Sequence, residues 1–373
     1  MKKTLSVLLI LVMILSCFGF SGCEDSEATS TESQETGETD NPSIPVSTLD
    51  YSEATTEAET EPEPLPEGYM YSYLTGLPVK EEIGTLRPVG FQIDNEKYAL
   101  PQCGISQAEV VYEVPIEAYE VRLTAIFQDM TDIEKIGPLR SARSYHPGIL
   151  AEFDGIFFHN GRSSMAEKYL DDEKCDDIEA VDRDYNAKFT VSGWTSGHND
   201  FTNPENVENR IELRKFRREL SDSFTYKFKF APANNTLEQI EDSFTADTVE
   251  TNYKQNKSYF VYNADDGLYY RFAYGQKCID GNNNKQVAVK NIIFQYCSYN
   301  LEWDKDTKNI HTVGSDNGIF ITNGKAVHIT WEKEDYWENT HYYYEDGTEI
   351  ELNPGQTWVC IVLPTLTEWP SIG

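Results

Sequence analysis

The sequence predicts an α+β / α/β chain, an N-terminal mixed α/β domain followed by a mainly antiparallel β domain, and three observations carry that expectation. Between residues 69 and 220, short apolar runs rich in β-branched and aromatic residues alternate with helical patterns. Beyond about residue 222, aromatic and polar residues alternate with the period of a strand. Asp266-Gly267, Asn323-Gly324 and Asp346-Gly347 each fall between two such runs, the strongest short-range signal for a hairpin.

In chain order, residues 1–22 read as a signal peptide: Lys2-Lys3, then an apolar run from Leu5 to Phe20, then Ser21-Gly22 before Cys23. Small residues before a cysteine at the end of such a run form a lipobox, so Cys23 is the expected lipidation site, with Ser16-Cys17 a weaker competitor. Residues 23–67 follow as an acidic tether, with fourteen Asp or Glu and no Lys or Arg between Glu24 and Glu67. A flexible chain of that length spans roughly 40 Å root-mean-square, and like charges lengthen it.

Residues 68–221 form the predicted α/β domain. Its expected strands are Arg87 to Asp94, Ala108 to Glu117, Arg122 to Gln128, Lys135 to Leu139 and Gly155 to His159. Its expected helices are Tyr145 to Phe153 entered through Ser144, Met165 to Asp171 entered through Ser163-Ser164, and Glu205 to Leu220 with Asn203 as N-cap and Pro204 in the first turn. Residues 222–373 form the predicted β-rich domain. Its expected strands are Phe224 to Phe230, Tyr259 to Tyr262, Leu268 to Tyr274, Val287 to Tyr296, Gly318 to Ile321, Ala326 to Trp331, Tyr342 to Tyr344 and Trp358 to Leu363. Trp303, Trp331, Trp337 and Trp358 could stack on sugars, but alternate aromatic positions in strands are more often core.

Charge excludes one class of partner. Lys+Arg number 31 against 63 Asp+Glu, a net charge of −32, and no stretch offers a basic face to a phosphate backbone, so nucleic acid is not an expected partner. The leader contributes +2 and the tether −14, which leaves −20 on residues 68–373. Of seven cysteines, Cys103, Cys175, Cys278, Cys297 and Cys360 remain after the leader and the lipidation site. An odd remainder without Cys-x-x-Cys spacing predicts free thiols and no structural zinc, with Cys278 and Cys297 able to pair only on neighbouring strands. Asp182, Asp184 and Asn186 imitate the start of a calcium loop, but Ala187 and Gly193 break it. No metal site and no cofactor is expected.

The densest candidate cluster runs from Gly137 to Ser164. Gly137-Pro138-Leu139-Arg140-Ser141-Ala142-Arg143-Ser144 leads from a predicted strand to a helix start, and Phe157-Phe158-His159-Asn160-Gly161-Arg162-Ser163-Ser164 repeats the arrangement. If the two strands are adjacent and parallel, both turns open at one sheet edge, where α/β proteins bind ligands. That would gather Arg140, Ser141, Arg143, His159, Asn160, Arg162, Ser163 and Ser164 around an anion or polar-ligand pocket. Gly197-His198-Asn199 could add an acid or base, and Asp94-Asn95 could face the same edge. The competing reading is structural: the arginines pair with Glu113, Glu117 or Glu120, and the serines are helix caps.

Several segments resemble the YerB-like lipoproteins, a bacterial family without an established activity. They are Leu74-Thr75-Gly76-Leu77-Pro78, Arg87-Pro88-Val89, Pro101 to Glu113, Ile136 to Arg143, Ile321 to Ala326 and Leu352 to Trp358, within a match spanning roughly residues 70 to 363. The resemblance implies a lipid-anchored surface protein of two domains and supplies neither a substrate nor a catalytic residue. Ser144, Arg162 and the residue before His198 depart from the family pattern, which sets a proline, a Gly-Gly-Ser turn and a Pro-His-Asn motif there.

The functional expectation is a protein on the extracytoplasmic face of the bacterial membrane, anchored by lipid at Cys23. Its Arg/Ser/His pocket would bind an anionic or carbohydrate-rich envelope ligand such as a wall polymer, or the chain would bind an envelope protein. The alternative is an envelope hydrolase or transferase acting on a phosphorylated or glycosidic polymer, with Arg140, Arg143 and Arg162 holding negative charge and His159 or His198 moving protons. A third reading is a structural assembly factor whose arginines are all spent in salt bridges.

Overall fold

Strand-forming runs, buried on both faces at the centre of the array, build an eleven-stranded sheet. In chain order its strands are β1 (Val89–Ile93), β2 (Val110–Pro115), β3 (Val121–Phe127), β4 (Ile156–His159), β5 (Asp177–Glu179), β6 (Phe244–Thr245), β7 (Asn291–Tyr296), β8 (Gly314–Thr322), β9 (Lys325–Lys333), β10 (His341–Tyr343) and β11 (Thr357–Val362). This computed structural model describes residues 65–181, 183–232, 234–301, 307–364 and 370–373. All belong to one compact unit, Ala58–Gly373. The expected signal peptide, the expected lipidation site Cys23, the expected tether up to residue 64 and Trp303 lie outside the described residues.

The spatial order is β6-β9-β8-β7-β11-β2-β3-β1-β4-β5, with β10 on β9. An N-terminal mixed α/β region contributes β1 to β5: β1 pairs antiparallel with β3 and parallel with β4, and β4 pairs parallel with β5. A mainly antiparallel β region follows. Strand β11 runs parallel to both β7 and β2, with Trp358 opposite Val111 and Cys360 opposite Glu113, so the sheet is continuous from one region into the other.

Period-two alternation gives each face its own core. Phe91, Val111, Leu123, Phe294, Trp358 and Cys360 face a second sheet, whose Val249, Phe260 and Tyr269 join the same cluster. That second sheet includes Thr248–Glu250, Tyr259–Asn263 and Leu268–Ala273. Tyr112, Phe157, Ile293, Val359 and Ile361 face the other way, against Ile149, Leu150, Phe153 and Phe228.

The turns behave as their residues predict at two of three sites. Asp266-Gly267 joins Tyr259–Asn263 to Leu268–Ala273. Asn323 and Gly324, at φ 49° and 74°, join β8 to β9; a Cβ at Gly324 would lie 2.8 Å from the Tyr262 ring. Asp346-Gly347 turns back to a single bridge, Tyr343 to Glu349, with no second strand.

Five expected elements differ. Lys135 to Leu139 forms no strand: Gly137 takes a φ of 148°, Pro138 has no N–H for a ladder, and the segment is held by single bridges to Cys103, Thr202 and Ile93. Phe224 to Phe230 has the alternation of a strand but one backbone bridge, Phe230 to Leu352, and covers the core with its rings, Phe224 and Tyr226 against Tyr73 and Phe228 against Phe153. The long helix is Pro204–Arg214: Asn203 caps it by accepting from the Asn206 N–H, and Lys215 ends it at a left-handed φ of 60°. The other two helices shorten to His146–Ala151 and Glu167–Leu170. Ser144 and Ser163 do not cap them, since the Oγ of each is buried without a hydrogen bond.

The five cysteines among the described residues are free, so Cys278 and Cys297 do not pair. Trp331 and Trp358 are core, while Trp337 is half-buried.

Candidate functional site

The expected edge forms, but from different strands. Parallel neighbours β1 and β4 both run out at one side of the sheet, β1 into Asp94-Asn95-Glu96 and β4 into Asn160. Arg140 to Arg143 is laced onto these ends: the Arg140 N–H donates to the Gln92 carbonyl at 2.8 Å, Asn160 N–H to the Arg140 carbonyl at 2.9 Å and Ala142 N–H to the Gly161 carbonyl at 2.9 Å. In open α/β sheets such an edge is where ligands bind.

Side chains separate what the backbone gathers. Arg140 and His198 meet at Asp94: Arg140 Nε lies 2.6 Å and His198 Nδ1 2.8 Å from Asp94 Oδ2. Arg140 Nη2 lies 2.8 Å from His198 Nδ1 and 3.4 Å from Glu96 Oε1. Asp94 is itself held: its Oδ1 accepts the Glu96 N–H at 3.0 Å and its carbonyl accepts Gln102 Nε2 at 3.0 Å, which presents Oδ2 to the cluster. Beside it, Asn160 donates through Nδ2 to Asp200 Oδ2 at 2.9 Å and accepts from Lys188 Nζ at 2.7 Å, and Lys188 also reaches Asp200 at 2.7 Å. Burial pushes the Asp200 carboxyl up, but Lys188 and Asn160 outweigh it and hold the carboxyl below its usual range.

The other predicted residues point elsewhere, which corrects the single shared pocket. Arg143 grips Glu117 through two nitrogens at 2.5 Å, the structural pairing anticipated for it. Burial drives the Glu117 carboxyl up, and Arg143 more than reverses it, holding the group below the usual value. Ser141 turns its hydroxyl to the Asn160 carbonyl at 3.1 Å, and its own carbonyl accepts Arg122 Nη1 at 2.6 Å. His159 is fully buried between the Gly161 carbonyl at 2.8 Å and Asp177 at 3.1 Å. Arg162 pairs with Glu179, and with Glu167 at 3.2 Å. Asn199 accepts the Gly197 N–H within its own loop. Glu113, a suspected partner of these arginines, instead binds Arg271 of the second sheet.

Sequence reading left out Glu96, Tyr98, Lys188 and Asp200. Tyr98 is 64% exposed with its ring 5.9 Å from that of His198, and Trp194 stands nearby with its N–H donating to the carbonyls of Ala99 and Pro101 at 3.2 Å. The run Asp94-Asn95-Glu96 at a strand end was the available signal. It also ties the edge to the interior, since Asn95 Nδ2 donates to Glu113 at 3.2 Å and Tyr274 donates to the Asn95 carbonyl at 3.0 Å.

Two family models match this chain, the N-terminal domain described as "Protein of unknown function (DUF3048)" over residues 74–217 and the corresponding C-terminal domain over residues 249–359. The chain belongs to this two-domain family, whose function is unknown. Among its relatives is YerB of Bacillus subtilis (strain 168), provisionally designated a lipoprotein, which is 27% identical over 294 residues covering 78% of this chain and 85% of YerB. The crystal structure of the YerB protein from Bacillus subtilis matches with a TM-score of 0.71 at 27% identity, covering 82% of this chain and 99% of that one. No helix among the described residues is long and apolar enough to cross a membrane.

Proposed function

We propose that this protein is anchored by lipid at Cys23 to the extracytoplasmic face of the cell membrane, and that it binds a neutral, polyhydroxylated envelope ligand of carbohydrate type at the edge formed by β1 and β4. The leader, the Ser21-Gly22-Cys23 pattern and the lipoprotein designation of its relative support the anchor. The observation that carries the ligand reading is charge matching. Arg140 meets Asp94 and Glu96, Arg143 meets Glu117, Arg162 meets Glu179 and Glu167, and Lys188 meets Asp200. With these four cations spent on carboxylates, the edge is poorly suited to a phosphate and well suited to hydroxyls, which both donate and accept. Tyr98 adds the exposed flat ring on which a sugar face stacks.

The test is direct binding of the full chain, solubilised in mild detergent, to a panel of neutral wall glycans and phosphate-bearing polymers. Binding to neutral glycans that survives 0.5 M salt and falls about tenfold in Tyr98→Ala is expected, equivalent to roughly 1.4 kcal/mol. Binding confined to the anionic polymers and abolished by salt overturns the reading.

A further inference from the structure

Asp94, Glu96 and His198 each present a ligand atom, and the three atoms lie within 4.8 Å of one another. A cation already stands at their focus, and it belongs to the protein. The Arg140 guanidinium touches all three residues: Nε is 2.6 Å from Asp94 Oδ2, and Nη2 is 2.8 Å from His198 Nδ1 and 3.4 Å from Glu96 Oε1. We propose that these three side chains form a divalent-cation site in which Arg140 is the resident counter-ion, leaving as the metal enters.

Three features support the exchange. First, the two carboxylates carry a charge of −2, which one divalent ion balances and one guanidinium leaves half-balanced. Second, the hold of Arg140 is imperfect: its Nε is buried and close to Asp94 but makes no aligned hydrogen bond. Third, the Glu96 N–H fixes the Asp94 carboxylate through Oδ1, which leaves Oδ2 facing the cluster. His198 sits on a loop with Gly193 and Gly197 at positive φ and open space around both, so small adjustments meet no neighbour. One imidazole with two carboxylates selects a borderline first-row ion such as Zn²⁺ or Mn²⁺ over Ca²⁺ or Mg²⁺. The three positions, 94, 96 and 198, make no recognised metal spacing in sequence, which is why reading the sequence predicted no metal.

This proposal shares Asp94, Glu96 and Arg140 with the carbohydrate reading, whose charge matching describes the metal-free state, and its test contains no glycan. The untagged full chain is titrated with Zn²⁺ by competition against a chromophoric chelator, and with Mn²⁺ by electron paramagnetic resonance, which does not depend on thiol ligands. One ion per chain is expected in both. His198→Ala should weaken binding at least 100-fold, and Arg140→Gln should tighten it about tenfold or more, because the metal then displaces no cation. Urea unfolding of each variant confirms that it is folded, and Glu96→Gln gives a more exposed second ligand variant should His198→Ala destabilise. Absence of stoichiometric binding overturns the proposal, as does binding that neither His198→Ala nor Glu96→Gln weakens. Affinity left unchanged or weakened by Arg140→Gln overturns the exchange.

Discussion

Replacing Glu113 with Gln should cost this protein more stability than any single ion pair at its surface. Glu113 lies on β2, is wholly inaccessible, and points into the layer between the two sheets. Its Oε1 accepts from Asn95 at 3.2 Å, Asn256 at 2.7 Å, Ser258 at 3.1 Å and Arg271 at 2.9 Å, while Oε2 accepts the Trp358 indole N–H at 3.1 Å. Arg271 is 1% exposed and lies 4.8 Å above the Trp358 ring; burial alone would lower its pKa, but Cys278 and Glu113 outweigh that and raise it. An amide in place of the carboxylate leaves the guanidinium buried without a counter-charge and turns an N–H₂ toward the indole N–H. Breaking a buried pair in this way costs about 3–5 kcal/mol. With an unfolding entropy of about 2.1 cal/mol/K per residue over roughly 300 residues, the slope is about 0.6 kcal/mol/K, so Tm should fall by about 5–8 °C. Urea unfolding followed by tryptophan fluorescence measures the loss. The double variant Glu113→Gln/Arg271→Met, which removes both charges, should recover at least about 1 kcal/mol relative to the sum of the single changes. A loss below about 1 kcal/mol, or strict additivity in the double variant, would refute the argument that this pair carries an uncompensated-charge penalty.

Three further outcomes follow from the same geometry. Glu152 is buried, which alone would push its carboxyl up, but Lys227 and Lys333 hold it at about 2. Because that value lies below the ordinary 4.5, its contribution is whole above about pH 4.5 and drains as pH falls through about 2. The stability gap between the native chain and Glu152→Gln should therefore shrink in urea titrations below pH 4 and stay flat from pH 5 to 7. Asn203→Ala removes the one side-chain cap of the Pro204–Arg214 helix and should lower stability by about 1 kcal/mol, with a helical circular-dichroism change confined to fraying of that segment. Arg143→Ala should cost about 1–3 kcal/mol through loss of the bidentate Glu117 contact and leave glycan affinity within twofold; a tenfold affinity loss would return Arg143 to the ligand site.

Much of the fold is legible along the chain because its signals are local. Period-two alternation marks β9, continuous apolar runs mark β7 and β11, and Asn323-Gly324 specifies the hairpin between β8 and β9 because both residues tolerate positive φ. Asn203-Pro204 marks a helix start for an equally local reason. Where a strand depends on a distant partner, the local signal misleads. Phe224 to Phe230 alternates without a ladder, whereas the polar run Asp177–Glu179 becomes β5 because β4 offers it a parallel edge.

The site divides along the same line. The sequence by itself located the edge, Arg140 to Arg143 beside His159 and Asn160, since strand ends and Gly-containing turns are short-range features. The tertiary structure decided which carboxylate each cation meets. Arg140 finds Asp94 and Glu96, Arg143 finds Glu117, and Glu113, adjacent in pattern to all of them, pairs with Arg271 158 residues away. Coulombic pairing acts over a few ångströms in space and is blind to separation along the chain, so composition reveals how many charges must be matched while only the packed sheets determine the matches.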